Sequence, residues 1–300
     1  TVTGEPGKLV EAFGVGGIVT WTGAMDGANV FDVREVAQGK ILAVGDAFPF
    51  NTTFMKGARI LPDGTMDPAF GANADGTVSV SFCMCTASSH GHAVLREVGG
   101  RIMMIGTGDP GGGAPDDLAL ATLEDDGTFT QFGKNLVDLG GGAALSKDGR
   151  IVIAASAGGL LGVAKVDDFF EGLNPGFGTN GFVQFPPGKA GIARDIAVDP
   201  ETGDLVFLGA TSSSLVVARL GAAGNPTAFG GPGWVELAGS PMLDPKSIAI
   251  DSQGRIVVAA TTNQLGDDDV FVGRLLPDGT ADPAFGTGGI AVLAHAGADD

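Results

Sequence analysis

The sequence is short of most things that carry chemistry. Among 300 residues there is no tyrosine, and there are only two cysteines, two tryptophans and three histidines. The two cysteines, Cys83 and Cys85, cannot form a disulfide framework, so they constrain the redox compartment little. Charged residues make up 17%, and the basic sign is the scarcer, with 17 Lys and Arg against 35 Asp and Glu and a formal net charge of −18. Such a surface repels phosphate backbones and anionic lipid heads, which argues against nucleic acid as a partner. It is compatible with solubility, cation binding or a salty habitat. No apolar run approaches the length of a membrane-spanning helix, so no membrane insertion is expected. No stretch keeps a helical period of 3.6 residues for three turns. The sequence holds no G-x-S-x-G elbow, no H-E-x-x-H pair and no P-loop. "GTGDPG" (106–111) fits G-x-G-x-x-G in letters only, since it leads into Gly, Pro and Asp rather than a helix whose N-terminus could cradle a pyrophosphate. A Ser-His-Asp triad would need His90, His92 or His295, and none has a partner at the level of sequence.

What is abundant is glycine, at 52 residues, within a chain that is 44% hydrophobic. That hydrophobic content argues against disorder, and the absence of a G-X-Y period excludes collagen. Such glycine usage fits a chain that turns often. Phe-Gly pairs mark a repeat: Phe13-Gly14, Phe70-Gly71, Phe132-Gly133, Phe177-Gly178, Phe229-Gly230 and Phe285-Gly286. A glycine lies five or six residues before each Phe, and a short β-rich segment follows each pair, such as "GIVTW", "NLVDL", "GWVEL" or "GIAVL". Between the pairs comes a strand such as "DIAVD" or "SIAID", a tight turn such as "SKDGR" or "SQGR", a fully apolar strand such as "RIMMIG" or "RIVVAA", and a third strand such as "VVARL" or "VGRLL".

Four short antiparallel strands per period of about 50 residues are the signature of a propeller blade. One blade cannot bury both faces of its sheet, so neighbouring repeats must pack on each other. The expected fold is therefore an all-β propeller of four-stranded antiparallel blades, with residues 1–300 forming one domain. There are five complete repeats plus one surplus fourth strand near the start. Five blades is the simplest count, and a sixth, incomplete blade is the alternative.

The phrase "PDGTMDPAFG" (62–71) returns as "PDGTADPAFG" (277–286). Its Asp-Gly steps, Asp63-Gly64 and Asp278-Gly279, supply the positive φ that the turn between third and fourth strands needs. Phe70 and Phe285 are expected to anchor that turn by packing between blades, and the glycines after them to let backbone approach backbone.

These residues resemble the delta-60 repeat, a bacterial β-propeller repeat family. The order is the same: an Asp-Gly hairpin, an apolar strand, a strand ending in Arg-Leu before Pro-Asp-Gly, and a Asp-Pro-Ala-Phe-Gly phrase. The resemblance covers nearly the whole chain. It is strongest at 247–293 and weakest at 142–185, where "EGLNPGFG" replaces the phrase. It implies a secreted, periplasmic or cell-surface bacterial protein and no shared catalytic residues. The opening "TVTGEPGKLV" has no initiator Met, basic n-region or apolar h-segment, so either a targeting segment has been removed or the sequence begins inside a longer chain.

In a meander, first-to-second and third-to-fourth turns share one end and the remaining connections share the other. The first set is tight and repeated and the second irregular, so a binding site is expected on the irregular end. There "CMCTASSHGH" (83–92) gathers Cys83, Cys85, His90 and His92 around Met84, a donor set suited to Zn²⁺ or copper. Alternate spacing would put each pair on one side of an extended strand, and His295 is expected at the same end. The alternatives are a strained disulfide or buried thiols, with solvated histidines. Asp109, Asp116 and Asp117, and Asp267, Asp268 and Asp269, are the calcium candidates, weighed against ordinary solvated loops. Trp21 and Trp234 occupy matching repeat positions, which favours packing over sugar stacking. The expected function is a non-catalytic extracellular recognition or scaffold module whose ligand is a glycan, a peptide or a protein. The alternative is a metal-dependent hydrolase or oxidoreductase with its metal at the Cys–His stretch and Asp109 or Asp117 as base.

Overall fold

The structure is a computed structural model that describes residues 9–20, 28–47, 53–80, 89–96, 101–108, 117–166, 172–238, 244–262 and 269–293. The chain forms two compact units, Thr1–Leu136 and Val137–Asp300. The described residues are strands and turns, without an α-helix and with a single 3₁₀ turn at Ala37–Gly39.

The strands run in five antiparallel meanders. The first comprises β1 (Ala28–Glu35), β2 (Ile41–Ala47), β3 (Phe54–Ile60) and β4 (Thr77–Val80). The second starts with β5 (Ser89–Arg96), β6 (Ile102–Gly108) and β7 (Asp117–Leu123), and ends in the first part of β8 (Phe129–Leu145). The last part of β8 opens the third, followed by β9 (Ile151–Ala157), β10 (Leu160–Lys165) and β11 (Phe182–Gln184). The fourth is β12 (Ile192–Val198), β13 (Leu205–Ala210), β14 (Ser214–Leu220) and β15 (Trp234–Ala238). The fifth is β16 (Asp244–Ile250), β17 (Ile256–Thr262), β18 (Asp269–Leu275) and β19 (Ile290–Leu293).

The apolar second strands lie in the interior because they have no polar face to offer. A strand covered on both sides reads as a continuous hydrophobic run rather than an alternation. Accordingly every residue of β6, β13 and β14 is buried. In the fifth meander β17 and β18 are instead buried at every second residue, so one face is covered and the other is half-open.

The repeated phrase does what its composition predicts. Gly64, Gly127, Gly224 and Gly279 have φ of 88°, 85°, 88° and 91° and each closes the third-to-fourth turn. Phe70, Phe177 and Phe229 are 0%, 1% and 2% exposed. Phe70 packs with Val44 and Met55 of its own meander and with Val94, Ile102 and Met104 of the next. Phe177 and Phe229 likewise sit in clusters drawn from consecutive meanders. Burying a Phe contributes about 2–3 kcal/mol each time. The following glycine then reaches into the next repeat. Gly14 N–H donates to the Asp63 carbonyl at 2.9 Å, Gly71 to Asp126 at 2.8 Å and Gly230 to Asp278 at 2.8 Å.

Two local expectations change. The "GIVTW" segment after Phe13-Gly14 does not start as a strand: residues 9–20 are turns with one bridge, Val15 to Ile18. The strand expected at "NLVDL" and the one expected before the "SKDGR" turn also merge, while the turn itself falls where expected. The Gly-rich stretch 140–142 does not break the chain into a loop, and β8 runs unbroken for 17 residues. Glycines can extend as readily as they turn, so composition alone did not mark this join.

Candidate functional site

Several of the chain's few cations are committed to the frame. Arg59, at the end of β3, is 2% exposed. Its Nε donates to Asp67 Oδ2 at 2.8 Å, its guanidinium lies 4.6 Å over the Phe70 ring, and it also donates to the Asp125 backbone carbonyl. Lys40 adds a second cation to Asp67 at 2.9 Å. The fifth meander repeats the clamp, with Arg274 Nε donating to Asp282 Oδ2 at 2.7 Å and its guanidinium 4.6 Å over Phe285. Pairs with other partners occur where the sequence departs from the phrase. Lys165 pairs with Asp148 at 2.9 Å and lies 5.7 Å over Phe177, and Arg219 pairs with Asp199 at 2.6 Å and Asp204 at 2.8 Å. Burial alone would push the Asp67 carboxyl up, but the Lys40 hydrogen bond, the Ala69 N–H and the Arg59 charge outweigh it and hold it below the usual range. Asp282 is held down by the Ala284 N–H against a desolvation penalty, with Arg274 adding to it. The Arg, Asp and Phe of the repeated phrase therefore explain its recurrence as a folding device.

The positions that do vary lie in the first strands. Each of these carries an irregular register. It falls between Val30 and Asp32 in β1, Gly91 and Ala93 in β5, Ala193 and Asp195 in β12, and Pro245 and Ser247 in β16. A bulge inserts one residue and re-aims its side chain. The inserted residues are Phe31 and His92 in the first unit and Arg194 and Lys246 in the second. In β8 the shift spans Leu139 to Ala143. Glycine is required there, since a Cβ on Gly141 would stand 2.6 Å from the Arg194 carbonyl oxygen.

An aspartate after the bulge ties one first strand to the next. Asp32 accepts from Val33 N–H at 2.8 Å and, in the next meander, from Val94 N–H at 2.9 Å. Asp195 accepts from Ile196 N–H at 2.8 Å, and from Ile248 N–H and Ser247 Oγ, both at 2.9 Å. Beside it Arg194 reaches Asp244 at 3.1 Å and Lys246 reaches the same carboxylate at 2.6 Å. Burial, which would raise the Asp244 pKa, is outweighed by the Lys246 and Arg194 contacts. In the first unit Phe31 and His92 have ring centroids 6.1 Å apart, and His92 Nε2 lies 3.3 Å from Thr107 Oγ1. The sequence reading missed Asp32, Asp195, Arg194 and Lys246. The signal available was a carboxylate set inside an otherwise apolar strand, in "FDVRE" and "RDIAV".

Of the metal candidates, Cys83, Cys85 and His295 lie outside the described residues, as do Asp109, Asp116, Asp267 and Asp268. His90 and His92 are on strand β5 rather than in a loop, with a register shift falling at His92. Asp117 and Asp269 are likewise first residues of strands, and Asp269 is 1% exposed opposite Thr262 rather than solvated. Among the described residues no three or more His, Cys, Asp or Glu side chains form a group able to hold a metal ion. Trp21 lies outside the described residues. Trp234 packs edge-on to Phe185, with centroids 5.3 Å apart at 89°, and so belongs to the core.

The first unit also has a cleft of about 540 Å³, lined by Asn73, Ser79, Asp126, Thr128 and Phe129 among others. It lies at the hairpin end of the meanders, opposite the end where irregular connections had been expected to carry a site. Its wall is the "GANADG" loop, two residues longer than the matching segment after Phe229 or Phe285.

Residues 252–285 match the family model described as domain of unknown function (DUF5122) beta-propeller. The antiparallel meanders are β-propeller blades. No curated protein matches the chain. Among solved structures the chain is similar to "NanB plus Optactamide", at 10% identity and a TM-score of 0.56 over 86% of this chain and 60% of that one. It is also similar to the Dos1 propeller, at 10% identity and 0.48 over 82% and 55%, and to a periplasmic gluconolactonase, PpgL, from Pseudomonas aeruginosa, at 13% and 0.44 over 87% of each. The chain thus spans about 60% of the length of NanB. At these identities the NanB likeness concerns fold alone.

Proposed function

We propose that the chain is a non-catalytic recognition or scaffold propeller that works outside the cytoplasm and binds a glycan, a peptide or a protein. The observation that carries this reading is the division of labour in the blades. The recurring Arg–Asp–Phe clamps form a constant frame, while the bulged position changes from Phe31 to His92, Arg194 and Lys246. Rigid scaffolds that present varied side chains at one repeated position are suited to binding. Arg194 and Lys246, both partly exposed in a strongly acidic chain, are the cations best placed to meet an anionic group on a ligand.

Binding of the purified protein to immobilised glycan and peptide arrays tests this. The Arg194→Ala/Lys246→Ala double variant should weaken captured ligands at least about tenfold, or 1.4 kcal/mol. Lys147→Ala, an exposed lysine in a tight turn, should not. Equal binding by the double variant would move the site elsewhere. Turnover of a captured ligand, or stoichiometric zinc or copper lost on replacing Cys83 and His92, would replace the reading with an enzymatic one.

A further inference from the structure

We propose that the cleft beside Asn73 is a binding site for a neutral sugar, such as the terminal hexose of a glycan. It shares no residue with the bulged first strands, so it is independent of the reading above. The reasoning starts from the loop that follows the Phe of the repeat. Four of the third strands donate a backbone N–H to the carbonyl of the glycine that ends this loop: Arg59 to Gly76, Lys165 to Gly181, Arg219 to Gly233 and Arg274 to Gly289, at 2.8 to 3.0 Å. The closing glycine stands four residues after Phe177, Phe229 and Phe285 but six after Phe70. In the first meander two extra residues are thus fitted between the same fixed ends.

The longer loop is held at both ends. Gly71 N–H donates to the Asp126 carbonyl at 2.8 Å, which pins the start of the loop to the hairpin of the second meander. Asp75 Oδ1 accepts from the N–H and the hydroxyl of Thr77, both at 2.9 Å, which fixes its end. Between them Ala74 has φ of +53°, a left-handed conformation that a residue with a Cβ disfavours. Strain of this kind persists only where the surroundings impose it, and it gathers at ligand sites. The wall so built faces the Asp126-Gly127 hairpin across a cleft of about 540 Å³, within the roughly 300–1,000 Å³ of small-molecule sites.

The lining selects the ligand. Phe129 lines the cleft and packs on the core cluster, so its apolar surface is held in place. Asn73, Ser79 and Thr128 are exposed and supply an amide and two hydroxyls. Asp126 accepts from Thr128 N–H at 2.8 Å, and the N–H and hydroxyl of Thr128 hold its carboxyl below the usual range, so it stays ionised at neutral pH. A carboxylate, an amide and hydroxyls around one aromatic ring match a pyranose, which has an apolar C–H face and a rim of hydroxyls that both donate and accept. Among the described lining residues there is no Lys or Arg, so an anionic sugar or a phosphate would meet Asp126 uncompensated in a chain of charge −18. An ammonium would use Asp126 but give the amide N–H groups of Asn73 nothing to donate to.

Titration of the full chain with neutral hexoses, their disaccharides, N-acetylglucosamine, glucuronate and choline, followed by ligand-observed NMR, is the test. At least one neutral sugar should bind, with glucuronate and choline at least about tenfold weaker. Its affinity should not change with salt, since the ligand carries no charge to screen. Deleting Asn73 and Ala74 restores the four-residue step with which the third, fourth and fifth meanders fold, and should weaken that sugar at least about tenfold. If the deletion does not fold, Asn73→Ala/Ser79→Ala, which alters exposed side chains only, should have the same effect at an unchanged Tm. Lys147→Ala should bind as the wild type does. No binding of any neutral sugar, tighter binding of glucuronate or choline, or wild-type affinity in the cleft variants overturns the proposal.

Discussion

Arg59 Nε donates to Asp67 Oδ2 at 2.8 Å, both side chains almost without solvent at 2% and 4% exposure, and the same two positions recur as Arg274 and Asp282 at 2.7 Å. An ion pair this deep is costly to half-dismantle, because the surviving charge stays buried with only its second partner, Lys40 for Asp67 or Asp125 for Arg59. The phrase that contains it is therefore kept by the fold. What the chain binds must be sought where the repeats differ.

Acid should loosen this frame. Asp67 has a folded pKa below its ordinary 3.8, as burial is outweighed by the Lys40 hydrogen bond, the Ala69 N–H and Arg59. Asp199 is lowered too, its burial outweighed by the Thr202 and Glu201 amides and Arg219. A depressed folded pKa contributes stability that is complete above the unfolded value and is lost as pH falls through the folded one. The Tm should be flat above about pH 5 and drop below about pH 4, and Asp67→Asn should lower the plateau while shrinking the drop. A thermal melt series from pH 7 to pH 2 reads both.

Two glycines separate strain from crowding. Gly149 has φ of +80° and open space where a Cβ would go, so Gly149→Ala should cost only the left-handed penalty of about 1–2 kcal/mol. Gly127 has φ of +85° and would set a Cβ 2.8 Å from Gly71 N, so Gly127→Ala should cost about 1–3 kcal/mol more. Urea denaturation of the two variants gives the difference.

Asp195 stitches two first strands together. Asp195→Ala removes the acceptor for Ile248 N–H and Ser247 Oγ, both at 2.9 Å. Leaving a buried donor unsatisfied costs about 1–3 kcal/mol. Amide exchange at Ile248 should accelerate while β13 and β14 keep their protection.

Strands and turns were readable in the sequence because they follow from local chemistry. An unbroken apolar run such as "RIMMIG" has to be covered on both faces, and an Asp-Gly step supplies the positive φ of a turn. The Arg59–Asp67 clamp was less visible. Its partners are eight residues apart, across the end of a strand and a loop, and only the folded turn brings them together. Bulges left little compositional mark beyond the aspartate that follows two of them. One extra residue at His92 reset the register of β5, and nothing in the spacing of "HGH" announces that shift. The cleft beside Asn73 depends on two inserted loop residues meeting the next repeat's Asp126 hairpin, a contact that no pattern within one repeat records.

A double-mutant cycle on Arg59→Ala and Asp67→Ala, read by urea denaturation, tests most directly whether the repeated phrase is a structural clamp. Each single replacement should cost about 3–5 kcal/mol. The pair should fall short of their sum by about 2–3 kcal/mol, since the second removal leaves no buried charge stranded. Losses that add within about 0.5 kcal/mol would show the two side chains to be energetically independent, and would contradict the account.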